Sequence, residues 1–287
     1  MISKKAITST LIAIASFAIG CDERICEQQA TQARAVVDAR RGQGYNGFNF
    51  SHENSTCLNS AGLQGRNPNF LGPCGEKIRS DLRGMNLSFE RVHSNLSGSD
   101  LRFSNFANAS LIGTDLQGSL LQCTQFNGAY LNRANFRRAT LDGAEFQTID
   151  VTDADFTEAS LIHVDLSGAV LAQTNFTGAN LQGSNLGAAS GDRARFFRSR
   201  ARGVSFVNAH IMMAEFVRAD LTGANLRDGS FAQSDFSFAD LAGADLRGTD
   251  LRGAHLDSAN LLGARFNERT LLPITREAAL ARGMVMQ

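Results

Sequence analysis

The feature that most constrains the fold is a five-residue period that runs through most of the chain. In RADLTGANLRDGS, residues 218–230, the pair Ala219 and Leu221 recurs five positions later as Ala224 and Leu226, with Asp or Asn before each leucine. A period of five matches neither the 3.6 residues of a helical turn nor the two-residue alternation of a strand. It predicts a repeat protein in which short, equivalent segments stack on one another.

The period holds over about two-thirds of the chain. From Leu96 to Leu271 every fifth residue, 36 positions in all, is Leu, Phe, Val or Ile, except Gly191 and Ala201. Upstream, Leu87 belongs to a register that Leu96 does not continue. We therefore expect the regular solenoid to begin near Leu96, after one irregular turn. The two exceptions should either leave room in the core or force a kink.

A longer period of twenty lies within the period of five. Every twentieth residue is phenylalanine in one column and, apart from Ala201, leucine in its neighbour: Phe136, Phe156, Phe176, Phe196, Phe216 and Phe236; Leu101, Leu121, Leu141, Leu161, Leu181, Leu221, Leu241 and Leu261. Four segments of five residues make a four-sided coil, in which identical side chains stack as ladders. The Phe column is therefore expected to form an aromatic stack in the core.

Five segments carry a recognisable motif, beginning at Ala219, Ala224, Ala239, Ala244 and Ala259: ADLTG, ANLRD, ADLAG, ADLRG and ANLLG. These resemble the A(D/N)LXX pattern of the pentapeptide-repeat family. The resemblance implies an all-β protein, a right-handed quadrilateral parallel β-helix, over residues 81–271. The family often ends in a capping segment, and TLLPITREAALARGMV (270–285) is similar to it. A cap at residues 272–287, with a helix that has Thr275 as N-cap and Gly283 just beyond its end, is expected.

The first twenty residues form an export signal. Lys4 and Lys5 precede an apolar run that ends in FAIGC, and the run is too short for a confident membrane span. The ending resembles a bacterial lipobox with Cys21 as the site of lipid attachment, although Ala18 departs from the usual leucine. Asp22 resembles the signal for retention at the inner membrane. We expect a lipoprotein that faces the periplasm. Cleavage near the same place and release as a soluble periplasmic or secreted protein is the alternative, and a plain N-terminal anchor helix is the remaining one.

Four further cysteines follow, at positions 26, 57, 74 and 123, and an even number in an oxidising compartment favours two disulfides. Residues 21–80 are irregular and rich in loop-forming residues. Their cysteines (Cys26, Cys57, Cys74) are disulfide candidates together with Cys123, which lies in an outward slot on an early coil. We expect Cys57 or Cys74 to pair within this segment or with Cys123. No spacing indicates a zinc site.

Because packing occupies the inward positions, any chemistry must lie on the outward ones. One outward column contains residues of the catalytic-triad types: Ser190, His210, Ser230 and Asp250. His210 and Asp250 are two rungs apart, about 10 Å, which is too far for the hydrogen bond that a triad needs. We therefore predict no catalytic residue, metal or cofactor. His255, one rung from Asp235, is expected to form a surface ion pair.

The segment GDRARFFRSRARG (191–203) is exceptional, because it combines both failed core positions with five arginines: Arg193, Arg195, Arg198, Arg200 and Arg202. One interpretation is an anion-attracting girdle for a lipid head group, a polysaccharide or a protein. The preferred one is pairing along the ladder, since Arg195 stacks against Glu215 and Arg200 against Asp220. The outward apolar residues nearby (Phe197, Val217, Met212 and Met213) either mark a partner site or fill the kink.

Two classes of function follow. The first is a non-enzymatic scaffold of the envelope that binds an unidentified protein or envelope component. The alternative is the gyrase-protecting, quinolone-resistance branch of the family, which imitates duplex DNA and needs a strongly acidic rod. Lys+Arg and Asp+Glu balance at 28 each over the chain, and residues 96–271 hold 19 acids and 15 arginines. This modest charge and the export signal oppose DNA mimicry, and no nucleic-acid partner is expected; a homo-oligomer is left open.

Overall fold

The backbone of the chain forms a continuous parallel ladder. We describe it from a computed structural model, in residues 86–88, 91–92 and 95–287. Parallel bridges join residues twenty apart at every fifth position, from Asn95↔Asp115 to Asp245↔Arg265. Each coil therefore has four sides of five residues, as the two sequence periods predict.

Each position of the five-residue motif has its own backbone task, as residues 134–138 illustrate. Ala134 is buried, and its N–H closes a turn by donating to the carbonyl of Leu131 at 3.0 Å. Asn135 forms the bridges to the coils on both sides, and its Oδ1 accepts from the N–H of Arg137 at 3.1 Å. Phe136 is fully buried. Arg138 turns the corner at a φ of 56°. Asn and Asp recur before the core residue because their short side-chain oxygen accepts the N–H of the residue two positions later, at the start of the corner.

The predicted aromatic stack fills the core. Along Phe136, Phe156, Phe176, Phe196, Phe216 and Phe236, neighbouring rings lie 4.6–5.1 Å apart and within 11° of parallel. A second stack of Phe106, Phe126 and Phe146, which the sequence analysis did not single out, has spacings of 5.3 and 4.8 Å. The two stacks meet edge to face, as between Phe136 and Phe146 at 6.1 Å. Offset and edge contacts are the arrangements that aromatic rings prefer.

The register shifts by one residue at each end of the regular ladder. Asn86 bridges Asn105, nineteen residues away, which confirms the predicted change of phase before Leu96. At the other end Asp250 bridges Leu271, twenty-one residues away. The expectation that Leu271 continues the core is wrong, because its side chain is 43% exposed and Thr270 is buried instead. One additional residue in this last turn places the Thr270 hydroxyl where it donates to the carbonyl of Leu246 at 2.9 Å.

The coil with the two failed core positions keeps the register of its neighbours. Ser190 bridges both Val170 and His210 at the usual spacing. Gly191 has a φ of +143°, and a Cβ there would lie 2.4 Å from the backbone nitrogen of Ala172. The backbone of the preceding coil therefore leaves no space for a side chain at Gly191. Ala201 is buried.

The C-terminal residues close the end of the coil. Strand β1 (Arg265–Phe266) pairs in parallel with β2 (Val285–Met286), and the six-residue helix α1 (Arg276–Ala281) lies between them in sequence. The Thr275 hydroxyl accepts from the N–H of Ala278 at 3.2 Å, so Thr275 is the N-cap residue that the sequence indicates. Gly283, after the helix, has a φ of +80°. Ala279 and Met284 are buried and join the core cluster.

Candidate interaction surface

The Ser, His and Asp residues of the triad column lie twenty residues apart, one on each successive coil. Ser190, His210, Ser230 and Asp250 occupy consecutive rungs of one side. Arg252 binds Asp250 through a 2.7 Å hydrogen bond from Nη2, and this contact lowers the pKa of the carboxyl. Among the described residues, no group of three or more His, Cys, Asp or Glu side chains could hold a metal ion. His210 and Asp250 are two rungs apart, as the sequence predicts.

The ion pair expected between His255 and Asp235 does not form. The two residues bridge one another on adjacent rungs, but no nitrogen of His255 lies within 4.0 Å of the carboxylate. Asp235 instead accepts the N–H of Ser237 at 2.8 Å. This local turn orients the carboxylate along its own strand rather than toward the next coil.

The five arginines of residues 191–203 lie on the outside of one coil, and we call them the arginine belt. All five are exposed. Arg195 and Arg200 hold bridge positions on two neighbouring sides of the coil, and Arg193 and Arg198 turn corners at φ values of 62° and 54°. Arg202 follows the core position of Ala201. The belt therefore extends around successive sides of the rod.

The pairing expected along the ladder is wrong for both candidate pairs. Arg195 bridges Glu215 and Arg200 bridges Asp220, yet neither guanidinium comes within 4.0 Å of the carboxylate next to it. The Asp220 carboxylate accepts the backbone N–H and hydroxyl of Thr222 at 3.1 and 2.6 Å. Its nearest guanidinium is that of Arg202, at 3.9 Å. The bridges hold the two backbones next to each other, but the side-chain rotamers decide whether the charged groups meet.

Arginines without a carboxylate partner are confined to residues 193–227 within the stretch 96–271, and they include four of the five belt arginines. Between residues 96 and 271, eight arginines lie outside residues 193–227, and each has a carboxylate within 4.0 Å: Arg102, Arg133, Arg137, Arg138, Arg247, Arg252, Arg265 and Arg269. Seven lie between 193 and 227. Only Arg202 of these seven comes within that distance, and the described residues offer no such carboxylate to the others: Arg193, Arg195, Arg198, Arg200, Arg218 and Arg227.

Apolar side chains lie next to these arginines. The guanidinium of Arg198 is 5.0 Å from the ring centre of half-buried Phe197, and Arg218 is 5.6 Å from that of Phe238, which is 56% exposed. Val217, one coil after Phe197, is also half-buried. Arginine over an aromatic face is an attractive arrangement. The sequence analysis missed Arg218 and Phe238, although both continue the column of Arg198 at a spacing of twenty.

Met212 and Met213 are exposed on the coil after the belt. Met213 turns the corner next to that of Arg193, whose N–H donates to the carbonyl of Met212 at 3.0 Å. The two methionines therefore adjoin the edge of the belt where Arg193 lies. Their position outside the core excludes the interpretation that they fill a kink.

The coil before the belt is uncharged. No Asp, Glu, Lys, Arg or His occurs in residues 166–191. Asn175 and Asn180 bridge Arg195 and Arg200 from this side, whereas Glu215 and Asp220 do so from the other. The belt therefore has a neutral border on one side and an acidic border on the other.

Cys123 is the only one of the predicted disulfide candidates among the described residues. It turns a corner at a φ of 55° and takes part in a disulfide bond, and its side chain is buried although the sequence analysis places it in an outward slot. Cys26, Cys57 and Cys74 lie outside the described residues, as do the export signal, Cys21 and Asp22, so the pairing and the lipid anchor stay predictions. In the described part of the chain, no helix is both long and apolar enough to cross a membrane.

The comparisons with known proteins agree with this architecture. The family model for pentapeptide repeats matches residues 92–122, 119–157, 154–190, 192–228 and 234–268. The solved structure of HetL, a pentapeptide repeat protein involved in heterocyst differentiation regulation from the cyanobacterium Nostoc sp. strain PCC 7120, is similar at 26% identity and a TM-score of 0.62. The match covers 71% of this chain and 93% of HetL.

A trypsin-treated structure of QnrB1, a plasmid-mediated fluoroquinolone resistance protein, is 20% identical with a TM-score of 0.32. That match covers 73% of this chain and 91% of QnrB1. Comparison with curated proteins gives no match. Members of the matched family fold as right-handed quadrilateral β-helices. With eight repeat copies over more than half of its length, the chain belongs to the pentapeptide-repeat family.

Proposed function

We propose that this protein is a non-enzymatic interaction scaffold of the bacterial envelope, held to the membrane by a lipid on Cys21, and that the arginine belt binds an anionic partner. The observation that carries the proposal is that four of the five belt arginines are exposed with no carboxylate of the described residues within 4.0 Å, whereas the arginines of residues 96–271 that lie outside 193–227 all have one. A desolvated partner carboxylate or phosphate would give these guanidinium groups the charge-assisted hydrogen bonds that they lack.

A scaffold agrees with the distribution of chemistry over the molecule. The described coils bury a continuous apolar core and place their charged side chains outside, so binding must use the outer sides. The similarity to HetL, a protein involved in regulation, supports a role in which the solenoid acts through a partner. The belt weighs against imitation of DNA, because exposed arginines oppose a uniformly acidic surface.

The location is tested by the variant Cys21→Ser. We expect the wild-type protein in the membrane fraction, with globomycin-sensitive processing, and the variant in the soluble fraction because it lacks the lipidated thiol. Cys26→Ser, five residues further on, is the matched control and should stay at the membrane. Unchanged membrane attachment of Cys21→Ser would contradict the lipid anchor.

Binding at the belt is tested by removing three of its charges. In intact cells, chemical cross-links of Arg195→Gln/Arg198→Gln/Arg200→Gln to its partner should be lost. Arg133→Gln/Arg137→Gln/Arg138→Gln removes the same number of charges from the paired region and should keep them. Equal cross-linking by the two triple variants would show that the belt is not the binding surface.

A further inference from the structure

The shape of the belt limits which anions can reach all of it. Arg195 and Arg200 lie on two neighbouring sides of the coil, with Arg198 at the corner between them. A flat bilayer contacts one side of a four-sided rod at a time. A stiff duplex, which has a long persistence length, is limited in the same way. A flexible chain that follows the coil can reach every side.

The spacing of the arginines suits an extended chain. Arg193 and Arg195 are two residues apart, as are Arg198 and Arg200, and Arg200 and Arg202. Arg193 and Arg198 turn corners, so the backbone between these arginines is not extended. In an extended peptide the side chains of one face recur about every 6.6 Å, and carboxylates at alternate positions of such a peptide lie within reach of long arginine side chains.

The apolar side chains beside the belt indicate which kind of flexible anionic chain fits this surface. Phe197 and Val217 are half-buried outward residues on adjacent coils, and Phe238 continues the corner column of Arg198 and Arg218. Aromatic side chains and arginine together are typical of the centres of protein interfaces. A polypeptide supplies carboxylates and apolar side chains in one chain, whereas an anionic polysaccharide or a polyphosphate supplies only the charges.

The borders of the belt determine where such a chain lies. Glu215 and Asp220, on the coil after the belt, repel carboxylates. The coil before the belt carries no charge in residues 166–191 and presents the amides of Asn175 and Asn180 next to Arg195 and Arg200. Amide groups can bind the polar backbone of a peptide without competing for the guanidinium groups.

We infer that the partner is an extended, acidic polypeptide segment with apolar side chains, which lies along the belt and the uncharged coil before it. This inference rests on the proposed function, because it names the chemistry of the partner at that same surface. Electrostatic attraction positions the segment, and its apolar side chains contact Phe197 and its neighbours.

The probe is a fluorescein-labelled twelve-residue peptide in which Glu alternates with Ser and two of the Glu positions, on the face that meets the belt, are replaced by Phe; in the plain Glu/Ser peptide these two positions are Ser. Fluorescence anisotropy with the full chain should show binding that weakens as NaCl is raised. The triple variant Arg195→Gln/Arg198→Gln/Arg200→Gln should bind about tenfold more weakly, or worse, because each lost charge removes a contact. The control Arg133→Gln/Arg137→Gln/Arg138→Gln should stay within about twofold of the wild type.

A second variant separates the apolar contribution from the charge. Phe197→Ser should weaken binding of the Phe-containing peptide about threefold to tenfold and leave the plain Glu/Ser peptide unchanged. Equal affinity of the two peptides, with no effect of Phe197→Ser, would overturn the apolar part and with it the inference.

Dextran sulfate and phosphatidylglycerol vesicles are the competing probes. If one of them binds in a belt-dependent manner while neither peptide does, the polypeptide is excluded and the proposed function stands. If no anion binds in a belt-dependent manner, both the inference and the proposed function fail at this surface.

Discussion

The belt coil and the coils on either side of it share one backbone ladder but differ inside and outside. Between residues 126 and 165 the core contains both phenylalanine stacks, whereas residues 186–205 place Gly191 and Ala201 at two of four core positions. The same contrast holds at the surface. Arg137 and Arg138 each contact a carboxylate, at 3.1 and 2.6 Å, while Arg195 has none within 4.0 Å.

The difference shows that the ladder does not require a full core or a neutralised surface in every coil. Bridges with a spacing of twenty continue through Ser190 and Arg195 without a change of register. In a solenoid each coil contacts only its neighbours, so strong coils can support a weak one between them. The belt coil can therefore keep the register of its neighbours with small residues at two core positions and with unpaired arginines on its surface.

The largest loss of stability is expected at Phe176, which lies between the coils that contain both phenylalanine stacks and the belt coil. The ring of Phe176 lies between those of Phe156 and Phe196, at 5.1 and 5.0 Å, and is fully buried. Because the ladder cannot close the resulting cavity, Phe176→Ala should lower the free energy of unfolding by about 3–5 kcal/mol. Thr177→Ala, one residue later and outward, should change it by at most about 0.5 kcal/mol.

Hydrogen exchange shows where the Phe176→Ala variant opens. Amides of residues 186–205 should lose protection first, since this coil has the smaller core residues, and residues 126–165 should follow later. Equal loss of protection on the two sides of Phe176 would contradict the difference in stability between the two regions.

The second effect concerns Gly191, where the chain lies closest to the preceding coil. A Cβ at this residue would meet the backbone of Leu171 and Ala172 at 2.4–2.8 Å, and the φ of +143° is one that other residues rarely adopt. Gly191→Ala should lower the free energy of unfolding by about 2–3 kcal/mol, because neither backbone can move without breaking bridges. Urea unfolding measures the loss.

Gly223→Ala is the matched control for Gly191→Ala. It also introduces a Cβ at a positive φ, +66°, but nothing lies within 4 Å. The cost should be about 1 kcal/mol, as for any ordinary residue in this conformation. Equal costs for the two variants would show that the approach of Gly191 to Leu171 is not a constraint.

The sequence predicts the backbone of this protein well, because the period of five fixes which residues point inward. The register, the Phe176 stack and the change of phase before Leu96 follow from that pattern, and the N-cap role of Thr275 follows from the resemblance of the last segment to the family's cap. The additional residue near Thr270 does not follow. It moves Leu271 onto the bridge with Asp250 and places Thr270 in the slot of the small buried residue, where its hydroxyl donates to the carbonyl of Leu246.

The surface is harder to predict, since adjacent rungs do not determine contacts between side chains. The period correctly places Arg195 beside Glu215, but the ion pair is absent. Arg137 reaches Asp155, eighteen residues away, rather than Thr157 on its own column. A long side chain can reach several carboxylates at similar distances, and the sequence period does not indicate which of them it contacts.

The pH dependence of the unfolding free energy should distinguish the ion pair of Asp245 from the contact of Asp220 in the belt region, with a smaller effect than those above. Asp245 is buried and accepts from Arg247 at 2.6 Å, with Arg265 at 3.2 Å, and the bond to Arg247 lowers its pKa. A lowered pKa in the folded state stabilises the protein above the ordinary carboxyl pKa of about 4, and this contribution is lost as the pH falls. Asp245→Asn should cost about 1–2 kcal/mol at pH 7.

The difference between Asp245→Asn and the wild type should shrink in urea melts at pH values below about 4. Asp220→Asn is the control in the belt region. Its nearest guanidinium is 3.9 Å away, so it should cost less at pH 7 than Asp245→Asn. A loss for Asp245→Asn that is the same at pH 7 and at low pH would show that charge is not the source of the stability.

The smallest effect compares one paired arginine with one unpaired arginine. Arg138 Nε lies 2.6 Å from Glu158 Oε2 and lowers the pKa of that carboxyl, whereas Arg195, which lies between Asn175 and Glu215 on the ladder, has no carboxylate of the described part of the chain within 4.0 Å. Because both ends of the Arg138 pair are exposed, Arg138→Gln should lower Tm by only about 1–2 °C at low salt, and not at all in about 1 M NaCl. Arg195→Gln removes a charge from a group of like charges, so at low salt Tm should stay the same or rise slightly. Thermal unfolding of both variants at the two salt concentrations measures the contrast. If Arg195→Gln lowers Tm at low salt as much as Arg138→Gln does, Arg195 has a carboxylate partner in solution, and the belt is not free to bind another.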